Sequence, residues 1–236
     1  MIEVRNLAFT YARKQVLRDV SFVVSPGEVV SVVGANGVGK TTLLKILATL
    51  AVPDSGVVMV DGQDMATRQL KYRKQLGYLP ERIALYDDMS VKDYLRYRAF
   101  LKGEPNRRVR RRIDEAVEMC RISEILRMPI SALSMGLRKR VALADALLLR
   151  PRVLLLDDFL AGLDFGMREA AGAILSDAAA FSSVIVTGHE IEDFSKWTTR
   201  FLLLKDGVIA DSVDAMGLSR ETLFERLGPS MSGGLR

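Results

Sequence analysis

The sequence has little of several residue types that build special sites. Its 236 residues include one cysteine, one histidine and one tryptophan. A single cysteine, Cys120, excludes a disulfide within the chain and fits a reducing compartment, so we expect it to be a small apolar core residue. No uncharged apolar run reaches the roughly 18 residues that a membrane span needs. The N-terminal stretch MIEVRNLAFTY carries charge early and has no long apolar core, unlike a secretory signal.

Acidic charge is also in deficit, since 34 lysines and arginines against 29 acids give a net charge of +5. Much of the excess lies in NRRVRRRIDE, with Arg107, Arg108, Arg110, Arg111 and Arg112. A patch for nucleic acid or anionic lipid is one interpretation. A solvated helix face is favoured instead, because no aromatic residue is interleaved to stack on bases and acids follow in the next turn.

Strand patterns alternate with helical patterns along the chain, and 49% of residues are hydrophobic. Strands are predicted in IEVRNLAFTY, QVLRDVSFVV, EVVSVVG, SGVVMVDGQDM, VLLLDD, SSVIVTGHE and the hairpin RFLLLKDGVIADSV, whose tip is Asp206-Gly207. This alternation predicts a doubly wound α/β sheet with its ligand at the carboxyl ends of the strands. Strand patterns vanish from about residue 86, which predicts a helical subdomain over about 86–150. One domain is predicted over 1–229, with a disordered tail over 230–236.

The stretch GANGVGKT fits the phosphate-binding pattern G-x-x-x-x-G-K-[ST], between an apolar strand and a helix. Its glycines leave backbone N–H groups free for phosphate oxygens, and the helix N-terminus adds a favourable dipole. Lys40 is placed to reach the β- and γ-phosphates, and the Thr41 hydroxyl to bind Mg²⁺. The predicted nucleotide-binding residues here are Gly34, Ala35, Asn36, Gly37, Val38, Gly39, Lys40, Thr41 and Thr42.

A second apolar run, VLLLDD, ends in Asp157 and Asp158. In proteins with this phosphate loop, a carboxylate at the end of a second buried strand supports Mg²⁺, and Asp157 suits that role. The alternative is that Asp157 caps the following helix.

With both motifs in order, the chain resembles the nucleotide-binding subunit of an ABC transporter over nearly its whole length. Tyr11 stands where the family stacks an aromatic ring on adenine. GYLPE, residues 77–81, resembles the Q-loop, LSMGL resembles the signature LSGGQ, and AGLD resembles the D-loop ending in Asp164. His189, the only histidine, follows a strand as the family's switch histidine does.

The resemblance implies a P-loop ATPase core with a β-rich edge and an inserted helical subdomain. It implies two subunits stacked head to tail, with each ATP touching the phosphate loop of one chain and Ser134, Met135 and Gly136 of the other. Asp158 and His189 would be catalytic, and Thr41, Asp157 and Glu81 would organise Mg²⁺. The resemblance implies a membrane permease and a second ATP-binding subunit as partners, at the cytoplasmic face of the membrane. A homodimer is favoured because most oligomers are built from identical chains, and a heterodimer is the alternative.

Three motifs depart from the family pattern. Asp158 replaces a catalytic glutamate and is shorter by one methylene, about 1.5 Å of reach, so slow hydrolysis is expected. Met135 and Leu137 replace a glycine and a glutamine of the signature, which predicts weaker engagement of the partner's ATP. Glu81 replaces the Q-loop glutamine, and YLPE followed by the acidic LYDDMSV resembles the branch that pairs with ABC-2-type exporters.

Three functions therefore compete. The first and favoured is the ATP-hydrolysing subunit of an exporter. The second is a non-hydrolysing switch, in which ATP closes a dimer that regulates or scaffolds a membrane complex, and Asp158 and LSMGL are relics of lost turnover. The third is an ATPase acting on nucleic acid, which only the arginine run supports, so nucleic acid is not expected as a partner.

Overall fold

The computed structural model describes residues 1–189, 194–215 and 217–231. Its central sheet has six strands in the order β10-β9-β3-β8-β7-β6, and all neighbours are parallel except β10 with β9. The strands are β3 (Val29–Val33), β6 (Leu76–Leu79), β7 (Val153–Leu156), β8 (Ser183–Gly188), β9 (Arg200–Lys205) and β10 (Val208–Asp214). The doubly wound sheet predicted from the alternating pattern is confirmed.

A second sheet, antiparallel throughout, has the order β2-β1-β4-β5. It consists of β1 (Ile2–Tyr11), β2 (Lys14–Val24), β4 (Ser55–Val60) and β5 (Gln63–Asp64). This sheet is the predicted β-rich edge. Its β4–β5 turn at Asp61-Gly62 and the β9–β10 turn at Asp206-Gly207 both place an aspartate and a glycine at positive φ, as two-residue hairpins with primed turns require.

Helices cover both faces of the central sheet, and alternate side chains of β3 pack against the helices of opposite faces. Val30 and Val32 share a core with α1 (Lys40–Leu47) and the antiparallel sheet. Val29 and Val33, which point the other way, share a core with the helices between β6 and β8. Because β3 is buried on both faces, its sequence is a run of apolar residues broken only by Ser31, whose hydroxyl pairs with that of Thr198 at 2.6 Å.

The helical insertion lies between β6 and β7 as α3 (Val91–Leu101), α4 (Asn106–Met119) and α5 (Met135–Leu147). The arginine run lies on α4, where Arg110, Arg111 and Arg112 pair with acids one turn on, as expected of a solvated helix face. Cys120 is buried, and burial raises its pKa to about 12, which fits the structural role predicted for it. Among the described helices, none combines the length and apolar character needed to cross a bilayer.

Three elements and one boundary were not predicted from the sequence. The segment predicted as a Q-loop begins as strand β6, and α2 (Gln69–Arg73) precedes it. Gly77 in β6 is needed there because a Cβ would lie 2.4 Å from the Ala146 carbonyl oxygen of α5. After α6 (Phe165–Ala179), the last helix α7 runs Arg220–Met231, two residues into the predicted disordered tail, and residues 232–236 lie outside the described residues. The predicted domain limits of 1–229 stay a prediction.

Candidate functional site

The phosphate loop, residues 34–41, connects β3 to α1 at the carboxyl edge of the sheet. Its first glycine is dictated by packing, because a Cβ on Gly34 would lie 2.2 Å from the Leu204 carbonyl oxygen of the neighbouring strand. Gly39 has a φ of 117°, and a Cβ there would lie 2.9 Å from Leu17. Only glycine fits at either position, so these residues set the loop conformation rather than merely loosening it.

Lys40 is the first residue of α1, and its side chain folds back over the loop. The Nζ donates to the carbonyl oxygens of Gly34 at 2.7 Å and Ala35 at 3.0 Å. Burial lowers the pKa of Lys40, while the charges of Asp158 and Asp157 act in the opposite direction. The Lys40 ammonium is thus partly buried at the N-terminus of a helix, and its present partners are neutral carbonyl oxygens. An anion could replace these oxygens as the hydrogen-bond acceptor.

Asp157 joins the phosphate loop to the two central strands β7 and β8. Its Oδ1 accepts a hydrogen bond from Thr41 at 3.1 Å and another from Thr187 at 2.8 Å. Burial raises the pKa of Asp157, these two hydrogen bonds act to lower it, and the charges of Glu81 and Asp158 raise it further. The alternative role for Asp157, capping the next helix, is not observed, since α6 is capped by Asp164.

The oxygen atoms around Asp157 and Thr41 suit a hard cation such as Mg²⁺. Asp157 is 2% exposed, and its Oδ2 is buried without a hydrogen-bond partner among the described residues. An orphaned buried carboxylate oxygen is costly unless a ligand supplies the missing charge. The Thr41 hydroxyl beside it offers a second oxygen. Glu81 is exposed beyond the end of β6, and its charge acts on Asp157, so it lies in electrostatic range of the same group of oxygen atoms.

Asp158 begins a sharp turn and has a φ of 45°, in the left-handed region. Aspartate enters that region more readily than most residues, which is a physical reason for a short acid here. Its backbone N–H donates to the Thr187 hydroxyl at 2.9 Å, and its Oδ1 lies 3.6 Å from Nδ1 of His189. The two predicted catalytic side chains are thus neighbours, both partly exposed beside the phosphate loop.

The residues of the signature open helix α5. Ser134 caps it, its Oγ accepting from the Leu137 N–H at 3.4 Å, and Met135 is 61% exposed. Gly136 is buried where a Cβ would lie 2.2 Å from Sδ of Met167 on α6. Asp164 caps α6 by accepting from the Met167 N–H at 2.8 Å. The signature and the D-loop therefore meet through one methionine.

Other predicted nucleotide-binding residues have simpler surroundings. Tyr11 is 48% exposed at the end of β1, with its ring edge-on to Phe9 at 4.7 Å. Asn36 and Gly37 are exposed, Ala35 and Val38 are half-buried, and Thr42 is buried at 7% exposure. An exposed aromatic ring and an open loop are accessible to a ligand.

Comparison with known proteins decides the family. The sequence profile described as ABC transporter matches residues 17–161. The chain belongs to the ABC transporter family. A curated ABC relative, the sulfate/thiosulfate import ATP-binding protein CysA of Methylococcus capsulatus, is 34% identical over 88% of this chain, which spans 61% of that relative's length. The family predicted from the motifs is confirmed.

Two solved ABC structures share the fold. The ATP-binding subunit of an ABC transporter has a TM-score of 0.84 at 26% identity and covers 97% of this chain and 99% of its own. MJ0796, a bacterial ABC transporter cassette solved as a dimer, has a TM-score of 0.81 at 25% identity and covers 92% of this chain and 100% of its own.

Sequence patterns missed two side chains that organise this ABC site. Thr187 contacts both Asp157 and the Asp158 backbone, and its signal was a hydroxyl at the end of an otherwise apolar strand. Lys139 of α5 is 7% exposed and donates to the carbonyl oxygen of Phe159 at 2.8 Å and to that of Ala161. Lys139 stands between two arginines in the stretch LRKR, and nothing in that stretch indicates that the lysine is buried.

Proposed function

We propose that the chain binds ATP with Mg²⁺ and hydrolyses it to energise a separate membrane permease. The observation that carries the proposal is the junction at Asp157. There Thr41 of the phosphate loop, 116 residues away in sequence, donates to the same carboxylate oxygen as Thr187. Because the other oxygen is buried and no described residue donates a hydrogen bond to it, the junction fits a metal–phosphate group and not merely a structural contact.

Nucleotide binding follows from the loop. The backbone N–H groups near the start of α1 would hold phosphate oxygens. Lys40 would exchange two carbonyl oxygens for the anionic oxygens of the β- and γ-phosphates, and hydrogen bonds between charged groups are roughly twice as strong as neutral ones. Tyr11, exposed at the edge of the antiparallel sheet, would stack on adenine.

The residues that would hold Mg²⁺ are Thr41 and Asp157, with Glu81 reaching the ion or its waters. When bound, the ion neutralises charge on the β- and γ-phosphate oxygens. Asp158 would orient the attacking water and accept its proton, with His189 beside it contacting the γ-phosphate. The short carboxylate predicts slow turnover, because misplacement on the order of 1 Å costs about a hundredfold in rate.

Assembly is proposed as a head-to-tail homodimer with two ATP molecules between the chains. The dimeric MJ0796 cassette, similar in fold, supports a dimer. Met135 projects from the signature turn at 61% exposure, so it would crowd the partner's nucleotide and weaken the contact made by Ser134 and Gly136. In a homodimer both sites would carry this change together with Asp158.

The permease would bind at the cytoplasmic face of the membrane, on the surface between the Q-loop and α3. That surface carries an aromatic cluster in which Tyr86 lies 5.7 Å from Tyr97, and Phe100 and Leu101 beside it are exposed. We propose export as the direction, supported by the resemblance of YLPE and LYDDMSV to the ABC-2-type branch. The CysA relative, by its name, belongs to an importer.

The test of the proposed function is steady-state ATP hydrolysis by the purified chain with Mg²⁺. Asp158→Asn should lower kcat about a hundredfold, the lower end of what general-base groups contribute, because the amide cannot accept the proton. Asp158→Glu should keep or raise kcat, because the longer acid regains reach, although its backbone must stay left-handed. Asp54→Asn, on an exposed loop, is the matched control and should leave kcat unchanged.

The same experiment separates the proposal from the switch. If the wild type binds ATP but does not turn over, and Asp158→Glu restores hydrolysis, the chain is an ATP-operated switch or the weak half of a heterodimer. If Asp158→Asn hydrolyses ATP as fast as the wild type, Asp158 has no part in the chemistry.

A further inference from the structure

Lys139 is a buried cation that the proposed chemistry does not use. It lies on α5, one turn after Gly136, and its ammonium reaches out of the helix to the segment that follows Asp158. There it donates to the carbonyl oxygens of Phe159 and Ala161. An ammonium at 7% exposure is stable only with such partners, so both ends of this contact depend on each other.

The segment that Lys139 holds is short and unusual in backbone. It begins at Asp158, with a φ of 45°, and reaches Gly162, with a φ of 72°. Within it the Ala161 N–H bonds the Asp158 carbonyl oxygen at 3.2 Å, while Phe159 and Leu160 are buried at 2% and 1% exposure. The direction of the Asp158 carboxylate is therefore set by a turn whose second and fourth residues Lys139 fixes.

The other end of the contact is the signature helix. Ser134 and Gly136 open α5, and Arg138 at the next turn pairs with Asp87 at 2.7 Å. Burial lowers the pKa of Lys139, whereas the charge of Asp158 acts to raise it, which places the two charges in range of each other. The Lys139 side chain thus joins α5 to the turn that begins at Asp158. In the proposed dimer, α5 would face the ATP bound to the partner, and the turn would face the ATP bound to this chain.

We propose that Lys139 is a positioning residue for ATP turnover, which fixes residues 158–162 to the signature helix so that Asp158 and the signature keep one relative position. The inference rests on the proposed function. It assigns Lys139 no contact with nucleotide, so its loss should lower kcat and leave the Michaelis constant for ATP close to wild type, because the phosphate loop lies on other elements.

The test compares Lys139→Met with Lys74→Met, the same change at an exposed lysine at the end of α2. We expect Lys139→Met to lower kcat about tenfold with the Michaelis constant within about twofold, and Lys74→Met to change neither. Combining Lys139→Met with Asp158→Asn should then cost nothing further in single-turnover rate, because the positioned group is already gone. The proposal is overturned if Lys139→Met lowers the rate equally in the wild type and in Asp158→Asn, or if Lys139→Met leaves kcat unchanged.

Two further measurements keep the outcomes distinct. If Lys139→Met loses activity only in proportion to its unfolded fraction in thermal melts, its role is structural and the proposal is wrong. If the wild type shows no turnover, the proposed hydrolysis fails, and ATP-induced dimerisation measured by light scattering tests Lys139 instead. There Lys139→Met must weaken dimerisation about tenfold relative to Lys74→Met, and equal dimerisation overturns the proposal.

Discussion

Replacing Lys40 with methionine is expected to reduce ATP turnover about a thousandfold and to weaken ATP binding to a similar degree. Loss of one well-placed donor to a charged group costs on the order of 10² to 10³ in rate, and Lys40 carries a full charge at the helix start as well. Without it, the phosphate loop retains backbone donors but no cation. Isothermal titration with ATP and Mg²⁺, together with steady-state hydrolysis, measures both effects.

The matched control is Lys45→Met, because Lys45 is the other lysine of α1 and lies in its last turn. It should bind ATP like the wild type. Thermal melts of Lys40→Met should stay close to wild type, since among residues 1–189, 194–215 and 217–231 Lys40 hydrogen-bonds through its side chain only to Gly34 and Ala35, at the loop surface. Wild-type ATP affinity in Lys40→Met would contradict the assignment of residues 34–41 as the nucleotide site.

Replacing Asp145 with alanine is expected to destabilise the chain by about 3 kcal/mol, near the lower end for breaking a buried ion pair. Asp145 lies on α5 and is 9% exposed. It binds two cations, Arg98 on α3 and Lys102, which directly follows that helix. Its Oδ2 lies 2.9 Å from Arg98 Nε and its Oδ1 lies 2.8 Å from Lys102 Nζ, and the Tyr94 hydroxyl donates to Oδ2 at 3.2 Å. Alanine would leave both cations without an acidic partner in the part of the chain that the structure describes.

The pH dependence of this contribution follows from the sign of the shift. Burial acts to raise the pKa of Asp145, but the charges of Lys102 and Arg98 outweigh it and hold the pKa below its usual value. The stabilisation is therefore complete at neutral pH and is lost only as the pH falls below about 4. Urea unfolding of the wild type and Asp145→Ala should converge in that acidic range.

Two controls make the Asp145 result interpretable. Asp114→Ala removes an exposed acid 3.9 Å from Arg110 and should barely move the urea midpoint. A triple variant, Arg98→Leu, Lys102→Met and Asp145→Leu, should recover much of the lost stability, because an apolar replacement avoids the cost of burying charge. An Asp145→Ala midpoint equal to wild type would show that the cluster contributes nothing to stability.

The residues behind these predictions differ in how far the sequence alone could identify them. The role proposed for Lys40 could be predicted from the sequence because glycines at 34 and 39, a lysine and a threonine are typical of one local backbone conformation and of one ligand, a phosphate. The role proposed for Asp157 could be predicted for a similar reason, because it directly follows a buried strand. Asp145 could not, because LADALL reads as an apolar helix with one acid, and its two cations lie 47 and 43 residues earlier.

The sequence by itself determined the alternation of strands and helices, the phosphate loop, the aspartates after VLLL and the family resemblance. Each pattern and motif depends on residues within a few positions of one another, where backbone geometry allows few conformations, and the resemblance depends on the order of those motifs along the chain. Only the tertiary structure decided that Thr187 binds Asp157, that Lys139 holds the turn after Asp158, and that Asp158 enters the left-handed region. Those contacts depend on how distant elements pack, and packing fixes which buried polar groups find partners.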